Sequence, residues 1–299
     1  MIRLALRVRR ADAELVLAEL LELVPDGVEE VQVDASVVEY AVYGAPGELP
    51  RLPALNAAVG DALVEVSTTE VRDDWHERWR EFHKAVLIEA PPLRSAGEAP
   101  VPALIVRPPW EPARDRPARE LQEIVIDPGL AFGTGGHAST RTCLALLLEL
   151  ARERASGPLL DVGTGSGVLA IAAKRLGFGP VLALDNERES VHAARENARA
   201  NGVDIVVRRL DLRSEPLPWD ELAAQAQDGQ RLIVLANLLR PLLLELADAM
   251  PSAPAHLLAG GLLGAEADEV AGAFRERLGL YERARRESGE WATLWLASG

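Results

Sequence analysis

One cysteine in 299 residues leaves no partner for an internal disulfide. It is Cys143, inside the apolar run CLALLLEL, where a thiol reads as a small core residue rather than a nucleophile. No apolar stretch is long enough to span a bilayer, and the opening MIRLALRVRR carries arginines where a secretory signal needs an apolar core. The expectation is a cytoplasmic protein without membrane contact. Positive charge is also in deficit: 32 Lys plus Arg stand against 46 Asp plus Glu, for a net charge of −14. Such a field repels a phosphate backbone, which argues against nucleic acid as the direct substrate. The histidines at 76, 83, 137, 192 and 256 do not cluster with cysteines or acids at ligand spacing, so no metal site is expected. A recognisable Ser-His-Asp hydrolase motif is missing as well.

What remains is a soluble globular composition, 48% hydrophobic and 26% charged, in a chain long enough for two domains. The first seventy residues alternate. Ile2 to Val8 reads as a strand, and Ala11 to Val24 has apolar residues at helical spacing. Val28 to Val33 and Ser36 to Tyr43 are strand-like, Pro53 to Gly60 a short helix, and Ala62 to Thr68 a last strand. That β-α-β-β-α-β order is ferredoxin-like. In DDWHERWREFHK, Trp75, Trp79 and Phe82 fall on one helical face. Prolines then crowd the stretch from Ala90 to Glu120, where irregular surface loops are expected around the strand-like ALIV.

From Leu121 onward, strand, loop and helix repeat, beginning with the strand LQEIVID and a helix from Ser139 to Arg152 behind a Ser/Thr cap. LLDV, VLALD, DIVVRRL and RLIVLAN are short apolar strands with helical stretches between them. The alternation implies an α/β domain with a parallel sheet covered on both faces. LGLYERARRESG and EWATLWLAS break the pattern and read as two adjacent strands closing the sheet antiparallel.

Two glycine-rich loops interrupt the second half: DPGLAFGTGGHAST at 127–140 and DVGTGSG at 161–167. The second follows a buried strand and precedes a helix, with Gly163, Gly165 and Gly167 spaced G-x-G-x-G. This is neither the G-x-G-x-x-G of dinucleotide binders nor a phosphate loop, since no Gly-Lys-Ser/Thr follows. Asp185 ends the next strand, where a carboxylate can accept from both hydroxyls of a ribose. Together they favour a nucleoside-type ligand without a pyrophosphate clamp, as in an S-adenosylmethionine (AdoMet) site. Asp211 either meets an adenine amino group or is a turn aspartate. Asn237 ends RLIVLAN and either caps the following helix or faces the transferred group, and both roles can hold at once.

DPGLAFGTGGHAST, LLDVGTGSGVLAIAA, ALDNERESVHAARENARANGV and VLANLLRPLL, in this order, resemble the PrmA family, bacterial methyltransferases of ribosomal protein L-eleven. The likeness runs from Glu123 to Gly264, resumes at GEWATLWL, and extends to the connector DDWHERWREFHK. It implies a Rossmann-like class I AdoMet methyltransferase domain with a mostly parallel seven-stranded sheet, behind a ferredoxin-like substrate-recognition domain. The boundaries expected are 1–70 for recognition, 71–120 for the connector and 121–299 for methyl transfer. By matching positions the resemblance implies AdoMet contacts from Thr140, Gly163, Asp185 and Asn237, with Phe132 and Thr134 as further candidates, and Asn237 orienting the amine. The first loop ends Gly136-His137-Ala138-Ser139-Thr140, where the family usually has Thr, His, Pro, Thr, Thr. His137 could serve as a base, but a capping or packing role suits a loop histidine better. The implied activity is methylation of lysine side chains or the α-amine of the ribosomal protein by a monomer. Two alternatives stay open: methylation of another protein or a small molecule, and a non-catalytic AdoMet-binding, ribosome-associated module.

Overall fold

The computed structural model describes residues 2–13, 16–17, 20, 28–32, 36–44, 62–70, 83–89, 92, 100–128, 133, 135–153, 155–227 and 229–299. The aromatic stripe of the connector, the short helix expected from Pro53 to Gly60, and both Phe132 and Thr134 lie outside the described residues. The chain divides into two compact units, 1–82 and 83–299.

In the first unit, β1 (Ile2–Arg9), β2 (Glu29–Gln32), β3 (Val37–Gly44) and β4 (Leu63–Glu70) form an antiparallel sheet in the order β2-β3-β1-β4. Strands joined by each expected helix are separated by one other strand, which is the split arrangement of the ferredoxin-like fold. Of the helix expected over Ala11 to Val24, the described residues Ala13, Val16, Leu17 and Leu20 are helical. Ala13, Val16 and Leu20 pack in one cluster with Leu4, Leu6 and Val8 of β1. The intervening Arg3 and Arg7 turn the other way and bind Glu39 of β3 at 2.6 and 2.9 Å, the period-two alternation of a half-buried sheet.

The second unit holds a three-stranded and a seven-stranded sheet. The smaller is β5 (Val86–Ile88), β6 (Ala103–Arg107) and β7 (Leu121–Val125), in that order, with β6 and β7 parallel. ALIV is therefore the middle strand of a sheet rather than an interruption in surface loops. Leu104 and Val106 from it, with Ile124 and Ile126, join the main core. LQEIV likewise belongs to this small sheet and not to the parallel one.

The larger sheet comprises β8 (Leu159–Val162), β9 (Val181–Asp185), β10 (Val206–Arg209), β11 (Ile233–Asn237), β12 (His256–Leu263), β13 (Leu280–Ser288) and β14 (Trp291–Ser298). Its order is β10-β9-β8-β11-β12-β14-β13, parallel from β10 to β12 and closed antiparallel by β14 and β13. The helices are α1 (Ala138–Arg152), α2 (Val168–Arg175), α3 (Arg188–Ala200), α4 (Trp219–Ala223), α5 (Arg240–Ala249) and α6 (Ala267–Leu278). Leu159, Val181, Ala183, Ile233 and Leu235 face a core shared with α1, α2 and α3. The alternating Leu160, Leu182, Leu184, Val234 and Ala236 face the core shared with α4, α5 and α6. Two covered faces explain why these strands read as unbroken apolar runs. The chain runs outward from β8 to β9 and β10, then returns to place β11 on the other side of β8. The order reverses there, and ligand crevices in open α/β sheets lie at the carboxyl ends of strands at such a point.

Candidate active site

The turn after β8 carries Gly163, Gly165 and Gly167 at φ of 73°, 53° and 84°, a left-handed region that side chains with a Cβ enter at a cost. Space is restricted too: a Cβ on Gly163 would stand 2.2 Å from Leu238 Cδ2, and one on Gly167 3.1 Å from Ala194 Cβ of α3. The backbone N–H groups of Gly163 and Thr164 both donate to Leu184 O, at 2.9 Å. The loop is thus tied to the end of β9, one residue before Asp185.

Asp185 braces the loop from the other side. Its Oδ2 accepts from Gly165 N–H at 2.8 Å and its Oδ1 from Glu187 N–H at 3.0 Å. Each carboxylate oxygen has a second lone pair. Asp185 lines a cleft of about 190 Å³ with Gly163, Asn186, Asp211 and Leu238. That is less than the roughly 300 Å³ of a pocket that buries a whole drug-sized ligand. Asp211 holds a turn, with its carboxylate accepting from Arg213 N–H at 3.0 Å and from the Ser214 hydroxyl at 3.1 Å. The Arg213 N–H, then the Ser214 hydroxyl, keep this carboxyl below its ordinary range. Turn duty and a place on the cleft wall coincide in this residue.

Beneath the loop, Asp161 is fully buried. Its Oδ2 accepts from Thr164 Oγ1 at 2.6 Å, while Oδ1 has no hydrogen-bond partner among the described residues. Burial raises its pKa to about 7, with the Thr164 hydroxyl and the Ala170 backbone opposing the rise and the neighbouring Asp185 charge adding to it.

Asn237 ends β11 beside the glycine turn, as expected, but it does not cap a helix. The cap of α5 is Leu239, and Pro241 sits in that helix's first turn. Asn237 Nδ2 instead reaches Thr140 Oγ1 on α1 at 3.5 Å, and its Oδ1 is buried without a partner among the described residues. Thr140 itself is fully buried. The cap of α1 is His137, two residues before the expected Ser139: its Nδ1 accepts from Ser139 N–H at 3.3 Å. The ring also packs edge-on against Trp291, 4.6 Å between centroids. Burial, then the Arg141 cation, lower its pKa. An Nδ1 used as acceptor leaves the ring proton on Nε2 in a neutral imidazole, an assignment from hydrogen bonding.

Three polar residues in this region were not anticipated from sequence: Ser166, Asn197 and Asn201. The last two are buried at i and i+4, Asn197 in the last turn of α3 and Asn201 as its C-cap. Buried asparagine is poorly suited to a helix, so a pair at this spacing was the available signal that something polar lies against that face. Among the described residues, no group of three or more His, Cys, Asp or Glu side chains is placed to hold a metal ion. No helix among them is long and apolar enough to cross a membrane.

The sequence model of the ribosomal protein L11 methyltransferase (PrmA) family matches residues 54–298. The chain belongs to that family. It is 36% identical over 281 residues to the ribosomal protein L11 methyltransferase of Geobacter sulfurreducens, covering 90% of this chain and 83% of the relative. With that of Myxococcus xanthus it shares 36% identity over 225 residues, 75% of this chain and 68% of the relative. The crystal structure of ribosomal protein L11 methylase from Lactobacillus delbrueckii subsp. bulgaricus superposes with a TM-score of 0.53 at 31% identity, covering 65% of this chain and 94% of that one.

Proposed function

We infer that this protein is an AdoMet-dependent protein methyltransferase that acts on ribosomal protein L11. The observation that carries the reading is the family match across 54–298, joined to a glycine cradle whose surroundings suit AdoMet. Gly163 lets Leu238 close against the turn, and backbone without a side chain at Gly165 lets a ligand lie against it. Asp185 offers its remaining lone pairs to a ribose, and the cleft toward Asp211 takes the base. Two buried oxygens, Asp161 Oδ1 and Asn237 Oδ1, lack partners among the described residues, as expected where a ligand with hydrogen-bond donors completes the site.

Bound AdoMet supplies an electrophilic methyl group on a sulfonium. The acceptor amine needs a free lone pair in line with that methyl, so catalysis is chiefly positioning. Asn237 Oδ1 accepts a hydrogen from the amine and aims its lone pair, while Thr140 steadies the Asn237 amide from behind. Desolvation in the site lowers the amine pKa and favours the reactive form. This removes the need for a dedicated base.

The methylated groups are lysine side chains, the α-amine, or both, and the ferredoxin-like unit is the substrate-recognition domain. Intact-mass measurement of purified L11 after incubation with enzyme and AdoMet tests the reading. Mass gains in whole methyl steps, mapped by fragmentation to amines, support it. Unmodified L11 alongside a methylated product elsewhere in a ribosomal extract would redirect it to another substrate.

A further inference from the structure

The free edge of β7 is covered by side chains from the C-terminal end of α3, Asn197 and the C-cap Asn201, rather than by another strand. Asn201 Oδ1 accepts from Val125 N–H at 2.8 Å and its Nδ2 donates to Val125 O at 2.7 Å, so one amide copies a rung of sheet. One helical turn back, Asn197 Oδ1 accepts from Asp127 N–H at 3.0 Å. The intervening Ile126 N–H faces the opposite way, to Arg107 O of β6 at 2.9 Å. The match is geometric: alternate residues of a strand are roughly 6.7 Å apart, and residues i and i+4 of a helix rise by about 6 Å.

Asn197 does more than finish that edge. Its Nδ2 donates to Ser166 O at 2.8 Å, in the middle of the AdoMet-side glycine turn. The Ser166 hydroxyl in turn donates to Gly133 O, in the first glycine loop, at 2.7 Å. Asp127 is where that first loop begins. Two points of the first loop, Asp127 and Gly133, are therefore fastened to one residue of the second through Ser166 and Asn197. Asn197 is 3% exposed and Ser166 0%, so water has little access to replace either bond when a partner is removed.

We propose that Asn197 is a positioning residue that holds the two glycine loops in register, and that this register sets the affinity for AdoMet. The inference rests on the AdoMet reading above. It makes the start of α1, which carries Thr140, answerable to a helix on which no ligand contact is expected.

The test is a double-mutant cycle on Ser166→Ala and Asn197→Ala, read by calorimetric AdoMet binding, by thermal melting and by amide hydrogen exchange of the ligand-free protein. Each single substitution raises the AdoMet Kd about tenfold, from the loss of one buried hydrogen-bonded link. Ser166→Ala cuts the Gly133 attachment and Asn197→Ala the Asp127 attachment of the same loop, so the double variant raises the Kd above either single. In the ligand-free protein, exchange quickens in peptides covering 125–137. Asn201→Ala is the control for plain stability: it uncaps Val125, lowers the melting temperature, and leaves the Kd within about twofold of wild type. Should Asn197→Ala not fold, Asn197→Asp has the same shape and keeps the acceptor for Asp127 N–H but sets a carboxylate oxygen against Ser166 O in place of the donor, so Kd rises, and it recovers at low pH as the carboxyl gains a proton to donate. Lowered melting temperatures with unchanged Kd and unchanged exchange at 125–137 would reduce Asn197 to a structural residue and overturn the proposal. Wild-type protein that binds no AdoMet refutes the cofactor reading instead, and the exchange comparison then decides the tether by itself.

Discussion

Thr164 Oγ1 lies 2.6 Å from Asp161 Oδ2 and donates to it, leaving the other oxygen of a fully buried carboxyl without a partner among the described residues. The Thr164 hydroxyl and the Ala170 backbone offset only part of the cost of removing a carboxylate from water. The pKa of Asp161 accordingly rises to about 7 from an ordinary value of 3.8.

That shift makes stability depend on pH. The folded state holds the Asp161 proton more tightly than the unfolded chain does, so the contribution is complete below about pH 4 and is lost as pH rises through about 7. Asp161→Asn keeps the shape without the charge. The expected result is a smaller fall in the Asp161-linked part of the melting temperature between these pH values, and a variant more stable than wild type above neutrality. Parallel melting curves for the two proteins across the range would show that Asp161 does not titrate there.

Asn237→Ala removes the oxygen assigned to the acceptor amine and frees Thr140. Turnover is expected to fall about a hundredfold, the scale of losing orientation at the reacting centre. AdoMet affinity should change much less. A drop confined to AdoMet binding, with kcat retained at saturation, would move Asn237 from the amine to the cofactor.

Asp185→Ala deletes the acceptor for Gly165 N–H and Glu187 N–H along with the lone pairs offered to the ribose. Hydrogen bonds to a charged group contribute about 1.5–3 kcal/mol each, so the AdoMet Kd should rise by at least about tenfold. Comparing AdoMet with its 2′-deoxy and 3′-deoxy analogues sharpens the result. Wild type should discriminate against the analogues and the variant should not.

Ala138→Pro restores the residue that the family usually has at this point. Ala138 is the first residue of α1, and His137 before it has φ −70° and ψ 144°, a conformation that a following proline favours. Proline at the first helical position lacks only an N–H that the helix does not use. A gain of about 0.4–1 kcal/mol is expected from the reduced freedom of the unfolded chain. Chemical denaturation measures it, and a loss of stability would mean that the Ala138 N–H has a partner the proline removes.

Much of this architecture is local, and local features are legible. LLDV before DVGTGSG and VLAIAAKR after it prescribe strand, tight turn and helix, because three left-handed glycines and two apolar periods leave few other conformations. The placement of Asp185 and Asn237 at strand ends follows from the same alternation. LQEIV reads equally well as a strand of either sheet, since a buried strand does not encode its neighbours; only the packed structure assigns it to β6. His137 in place of the expected cap at α1, and Leu239 rather than Asn237 at α5, differ by two residues, the span over which helix ends fray and shift.

By itself, the sequence determined the order of elements, the two glycine loops and the acidic strand end, each a consequence of backbone preference within a few residues. Tertiary structure alone decided that Asn197 meets Asp127 across 70 positions and Ser166 across 31. An amide side chain has no conformational signature that names its distant partner. It becomes informative only when burial removes water and obliges each of its polar atoms to find another.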